Sequence, residues 1–251
     1  MLITERKFWI FTFLTIYFAD KPLTTKLPNH DFITYHSYKK WKEHDGYEEN
    51  KYLISLIDLN QNIDTIWKRM SRQHKRHINR SIKNGTIVTV SNDFEKFHEI
   101  YENFLRQKNF LGPMGINVLP LSYMRKYATL IVAENQGEMV AANIYLHDHR
   151  YALLLESVYP VIENTVENKK RSTDANCSIL WEAMKYFKKM DLVSLDIGEL
   201  SCENINSDPL ASGGDYFKRC FGGEFVPRFK YRKFNAPLGN YHYIRDTFSE
   251  L

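Results

Sequence analysis

Apolar residues in the segment 93–108, DFEKFHEIYENFLRQK, fall at Phe94, Phe97, Ile100, Tyr101 and Phe104. This spacing lays them along one face of a helix, with Asp93 placed to cap its first turn. A longer helix is predicted over residues 62–84, where Ile63, Ile66, Trp67, Met70, Ile78 and Ile82 recur at mostly helical intervals and Gly85 supplies a stop. A third, residues 174–190, gathers Ile179, Leu180, Ala183, Met184 and Phe187. Short helices are expected near 120–128 and within GGDYFKRCFGG at 213–223.

Elsewhere the apolar and polar positions suit strands. KYLISLIDL, TIVTV, LVSLDIG and EFVPRFKYRKF read as strands at 51–59, 86–90, 192–198 and 224–234. TLIVAE, GEMVAANIYLHD and RYALLLESV follow one another with tight turns at Asn135-Gln136-Gly137 and Asp148-His149, which implies an antiparallel meander. The run FWIFTFLTIYF at 8–18 is too short to cross a bilayer as a helix, and its aromatic and β-branched content favours a buried strand. It lacks a small-residue cleavage site before Lys21 and Pro22, which argues against a signal peptide. PVIENTVENKKRST and the Ser/Asn/Asp-rich stretch up to Ser212 read as loops. The expected fold is therefore mixed α/β (α+β), a central, mostly antiparallel sheet flanked by helices.

Composition narrows this picture a little. With 43% hydrophobic and 25% charged residues, the 251-residue chain falls among ordinary globular proteins, in one elaborated domain or two small ones. Cys177, Cys202 and Cys220 are an odd set without framework spacing, so reduced thiols and a cytoplasmic location are expected. Charge changes more. The formal net charge is only +4, yet KRMSRQHKRHINRSIK at 68–83 holds seven Lys or Arg and no acid. Arg69, Arg72, Arg76, Arg80 and Lys83 recur every three or four residues, lining one helix face. That face is either simply solvated or attracts phosphates, whether of a nucleic acid, a lipid-linked pyrophosphate or a cofactor. His74 and His77 lie three apart with no Cys, Asp or Glu nearby in sequence, so no metal site is expected.

Three stretches, in order, resemble one family. IWKRMSRQHKRHINRSIKNGTIV resembles the basic entry helix and following strand of the Fem-type (peptidoglycan-bridge aminoacyltransferase-like), acetyltransferase-like family of the GNAT superfamily. DANCSILWEAMKYFKKMDLVSLDIG resembles its helix and Asp-Gly strand end, and GGDYFKRCFGGEFVP its closing Phe-Lys and Gly-Gly turn. The resemblance covers residues 60–235 and implies one GNAT-like acyltransferase domain over 60–251, with 1–59 as a strand and loop extension packed on it. That extension is open to three readings: an acceptor site, a truncated second unit, or a contact in a homodimer. The implied activity is N-acyl transfer from a carrier, acyl-CoA or aminoacyl-tRNA, to an amine acceptor such as a cell-envelope or peptide precursor. The donor is a substrate, and no tightly bound cofactor is implied. The alternative is a non-catalytic RNA- or anion-binding module on the same fold.

The resemblance also implies site residues. In the family a Phe-Lys pair lies at the reaction centre, and the matching positions are Phe217 and Lys218. An ammonium fixed in a water-poor pocket would stabilise the negative charge that develops on the carbonyl oxygen under amine attack. Tyr216, Phe217 and Phe221 would keep water out; in the plainer reading Lys218 is solvated and only Phe217 and Phe221 pack down. Asp196, just before Gly198 where such sheets splay, would accept or orient the acceptor's proton, or else cap the next loop, and Glu199 is its substitute. One departure stands out. CoA-dependent members carry a Gly-rich turn before the helix that follows the meander, whereas this chain has ENKKRSTDAN. Lys169, Lys170 and Arg171 would hold phosphate by side-chain charge instead, or stand in a plain exposed loop.

Overall fold

Strand pairing gathers the extended segments into one sheet. The computed structural model describes residues 1–8, 11–23, 30–43, 45–109, 118–160, 165–200 and 213–235. Side by side run β1 (Leu2–Phe8), β2 (Phe11–Tyr17), β3 (Phe32–Ser37), β10 (Glu224–Phe234), β4 (Glu48–Asp58), β9 (Ser194–Glu199), β8 (Tyr151–Val158), β7 (Glu138–His147), β6 (Ala128–Asn135) and β5 (Ile87–Ser91). Only β2 with β3 and β8 with β9 pair in parallel. The meander β6-β7-β8 is as expected, and its first turn places Gln136 and Gly137 at φ 55° and 79°, the left-handed pair a two-residue hairpin requires.

The β7 run MVAANIYL is buried along its whole length because both of its faces are covered. On one face α2 (Arg72–Lys83) and α5 (Val166–Lys189) pack Ile78, Ile179, Ala183 and Phe187 against Ile131, Ala141 and Tyr145. On the other, α3 (Phe94–Gln107) and α4 (Leu121–Tyr127) bring Phe97, Tyr101 and Met124 onto Leu130, Ala142 and Ile144. The far end of the sheet comes over this second face, so that Tyr17 and Phe18 cluster with Tyr123, Leu146 and Leu153. β10 lies between β3 and β4, and β4 between β10 and β9, so the boundary at residue 59 does not divide the sheet.

Several boundaries differ from expectation. The helix expected over 62–84 is two, α1 (Ile63–Arg69) and α2, parted at Met70–Ser71. Ser71 ends the continuity because its hydroxyl caps the His74 N–H at 3.1 Å while its own N–H donates to the Cys220 carbonyl. Helix α5 begins at Val166 rather than 174, capped by Thr165, so Lys169, Lys170 and Arg171 sit in its first turns and not in a loop. The apolar run 8–18 is divided between two antiparallel strands, β1 and β2. Asp93 caps α3 as expected. Cys202 and the loop leading to Ser212 lie outside the described residues, while Cys177 and Cys220 are buried free thiols. Among the described residues no helix is long and apolar enough to cross a membrane.

The Gly-Gly turn after α6 (Gly213–Arg219) is a close approach of backbones. A Cβ on Gly222, at φ +73°, would meet the Arg69 carbonyl at 2.6 Å, and one on Gly223 would meet Ser55 Oγ at 2.7 Å. Gly222→Ala is therefore expected to lower unfolding free energy by about 2–4 kcal/mol in urea titrations, through combined backbone strain and overpacking.

Candidate active site

The site begins where two parallel strands stop pairing. β8 and β9 are in register only from Tyr151/Ser194 to Leu153/Asp196; beyond that β8 stays with β7 as far as Val158, and β9 stays with β4 as far as Glu199. The gap is a cavity of about 760 Å³, walled by Leu153–Ser157 on one side and Ile197–Glu199 on the other. Its floor is β10. Because side chains alternate along a strand, Arg228, Lys230 and Arg232 share one face while Phe229 and Tyr231 fill a core on the opposite face. All three cations are at least nine-tenths buried.

Arg228 is the best satisfied of the three. Its Nη1 donates to Asp196 Oδ2 at 2.8 Å and its Nη2 to Glu199 Oε1. Burial works against its charge, but Asp196 and Glu199 outweigh this and raise its pKa. Asp196 is fully buried and also accepts from the Gly198 N–H at 2.8 Å and the Tyr38 hydroxyl at 3.3 Å. Burial raises its pKa against the pull of these partners. Lys230 has no hydrogen-bond or ion-pair partner among the described residues; burial, aided by neighbouring Arg232, pushes its ammonium down to about 8. His36, its cross-strand neighbour, is held well below its ordinary pKa by burial and then by Arg228, Lys230 and Arg232. Opposite the floor, burial pushes Glu156 up to about 7, although the Tyr101 hydroxyl pulls it down.

Lys218 enters from α6 and lines the same cavity. Its stem lies against Gly198, whose φ of +106° only glycine readily adopts, and its Nζ donates to the Glu199 carbonyl. It is half-buried there, and burial lowers its pKa. Phe217 packs on His74 and Phe221, with ring centroids 5.0 and 5.2 Å away. Burial depresses His74 to about 4, so it is a neutral ring in this packing. His77 turns instead to Asp174, 2.6 Å away.

Other expected residues take different places. Tyr216 is exposed, its hydroxyl on Gln73, so it does not dry the cavity. Asp196 lies behind the cavity wall with its oxygens occupied, one of them by the Gly198 N–H within β9, whereas Glu199 reaches the lining; the loop Asp196 was expected to cap lies outside the described residues. Arg80 turns from the solvated basic face, because the buried Asp174 on α5 draws it and His77 into a half-buried cluster. Arg69, Arg72, Arg76 and Lys83 are exposed, as are Lys169 and Lys170, while Arg171 donates to Asn135 Oδ1 at 3.0 Å.

No protein-family model matches the sequence, and no curated protein matches it. Solved structures do. The chain is similar to FemX over 94% of its length and 85% of that chain, with a TM-score of 0.59 at 12% identity. It is similar to L-PGS from Bacillus licheniformis over 88% of its length and 72% of that chain, with a TM-score of 0.57 at 13% identity. A domain assigned to a lysylphosphatidylglycerol synthetase of Agrobacterium fabrum gives 0.56 at 13% identity, over 81% of this chain and 69% of that one. The chain shares the fold of these structures. In this sheet the parted strands are β8 and β9, joined through α5, and Asp196 holds the wall at the point of parting.

The cations of β10 and Glu156 are what sequence reasoning missed. The signal was present in PRFKYRK, where cations alternate with aromatics in a segment read only as a strand. Glu156 left no such mark, since one acid in LLLESV is unremarkable until β8 is seen to line a cavity.

Removing the Asp196 carboxylate strands a buried guanidinium. Asp196→Ala is expected to cost about 3–5 kcal/mol in urea unfolding, and the paired change Asp196→Leu with Arg228→Met should cost less than the single one.

Proposed function

We propose that this protein is an N-acyltransferase that moves an acyl or aminoacyl group from a carrier to an amine. The observation that carries the reading is the parting of β8 and β9 with Lys218 and Glu156 on the lining of one cavity. Strand edges that stop pairing leave backbone N–H and C=O groups free to take an extended, amide-bearing arm or acyl chain. Lys218 has three donors, and the Glu199 carbonyl takes one. The remaining two suit an oxyanion. In the step proposed, the amine attacks the carrier-bound carbonyl carbon, a C–N bond forms, and the C–O or C–S bond to the carrier breaks. Glu156, with its pKa near 7, receives the proton the amine loses.

Of the two donors, aminoacyl-tRNA is favoured by the exposed row Arg69, Arg72, Arg76 and Lys83, which offers a polyanion several contacts and no acid within 68–83 to repel it. Acyl-CoA is the competing donor, with Lys169 and Lys170 near the start of α5 as its phosphate contacts. Thermal stabilisation of the purified chain by charged tRNA and none by CoA supports the first; the reverse overturns it.

Two outcomes test the chemistry in a purified transfer assay. Lys218→Ala is expected to reduce kcat roughly a hundredfold or more, as loss of an oxyanion donor does, and a change of only a few-fold would remove Lys218 from the mechanism. Because a base must be ionised to accept a proton, kcat/KM should rise with pH through about 7, the value to which burial brings Glu156. Glu156→Gln should flatten that limb.

A further inference from the structure

A second cavity, of about 350 Å³, adjoins the first and shares Tyr17, Leu155 and Glu156 with it. It lies where the β1-β2-β3 end of the sheet meets α3 and α4, among Phe13, Phe32, Leu105 and Tyr123. Strand register gives it a polar floor in an otherwise apolar chamber. Thr4, Thr15, Thr34 and Arg232 fall in one row across β1, β2, β3 and β10, and Tyr17, His36 and Lys230 in the next row toward the first cavity. Lys230 and Arg232 thus flank the junction of the two cavities from one side, and Glu156 lines both.

The charges do not balance. Arg6, on β1, lines the second cavity over the Phe13 ring with no carboxylate in ion-pair range among the described residues. Arg232 lines it too, against Glu156 as the single acid in the lining, while Lys233, on the opposite face of β10, holds its ammonium over the Tyr47 ring. Lys230, 7% exposed and unpartnered, adds a further cation at the junction. Holding the Lys230 ammonium from water costs free energy that a bound anion offsets. An acid facing this excess, in a chamber sized for one small molecule with an apolar body, matches a ligand that carries both charges.

We propose that the second cavity is the acceptor site and takes a zwitterion of the α-amino-acid type, its carboxylate on Lys230 and Arg232, its amine toward Glu156, its apolar or aromatic side chain among Phe13, Leu105 and Tyr123. This rests on the acyl-transfer reading for the use of the site, though binding itself does not. The amine then faces the cavity where β8 and β9 part. Glu156 first takes one proton from the ammonium; the freed amine then forms its C–N bond to the carbonyl, the carrier's C–O or C–S bond breaks, and the amine's second proton goes to the departing oxygen or sulfur.

The test is calorimetric titration of the full chain, without donor, against L-phenylalanine, L-leucine, phenethylamine, 3-phenylpropanoate and inorganic phosphate. One of the two amino acids is expected to bind at least about tenfold more tightly than either singly charged analogue, because a site built for a polar group rejects ligands lacking it. Lys230→Met and, independently, Arg232→Gln should weaken amino-acid binding about tenfold and leave phenethylamine unchanged. Lys230→Met should also raise the unliganded Tm by about 2–5 °C, since it removes a buried unpaired cation, which separates lost binding from lost folding. Equal binding of phenethylamine, full binding by Lys230→Met, or binding of phosphate alone would overturn the proposal. A chain that binds the amino acid yet transfers no acyl group keeps this site and loses the acyl-transfer reading; one that acylates simple amines without discrimination keeps the activity and loses the site.

Discussion

A charge shut away from water must find its partners inside the protein, and the site depends on one such pairing. Arg228 reaches from β10 past β4 to Asp196 on β9, and Asp196 receives Tyr38 and the Gly198 N–H as well. Taking two ions out of water is expensive, and attraction repays it only when nearly every lone pair is used. Here three donors converge on one carboxylate. The consequence is positional: β9 is tied to β4 and β10 at the residue where it leaves β8, so the gap that follows is a feature of a braced wall.

Gly198 carries that constraint to Lys218. Its N–H is taken by Asp196, its φ of +106° turns the strand, and its missing side chain lets the Lys218 stem lie within 3.5–3.7 Å of where a Cβ would stand. Asp-Gly and Phe-Lys, far apart in the chain, are thus two halves of one arrangement. The Gly-Gly turn beyond α6 completes it, because only glycines allow the chain to press on Arg69 and Ser55 and so set α6 at this height. Asp196 meets the cavity only through the two groups it holds, Arg228 and the Gly198 N–H.

The fold was legible where local chemistry and tertiary demand agree. The meander turn, the Asp93 cap and the helical face of Phe94, Phe97 and Tyr101 all announce themselves within a few residues. Boundaries were misread where one hydroxyl decides them: Ser71 breaks a helix that apolar spacing alone would continue, and Thr165 starts α5 more than two turns early. Strand β10 was recognised, but not its place between β3 and β4, since register across 200 residues has no local signature. The site was half legible for the same reason. Lys218 stands out beside its glycines, whereas Glu156 and Lys230 become notable only when the sheet brings β8 and β10 to one cavity.

Two kinds of positive charge follow from this architecture, and they do different work. The exposed cations on α1 and α2 sit in high dielectric, where each costs little and attracts anions over a Debye length. The buried row on β10 sits where an uncompensated ammonium is costly, as the depressed pKa of Lys230 records. A core of this size would be more stable with an apolar residue there. Retaining a cation at that depth, beside His36 held neutral and opposite an acid near neutrality, gains nothing for folding and gives a ligand's charge a strong local field. In the proposed transfer, the outer charges would govern arrival and the inner ones what fits.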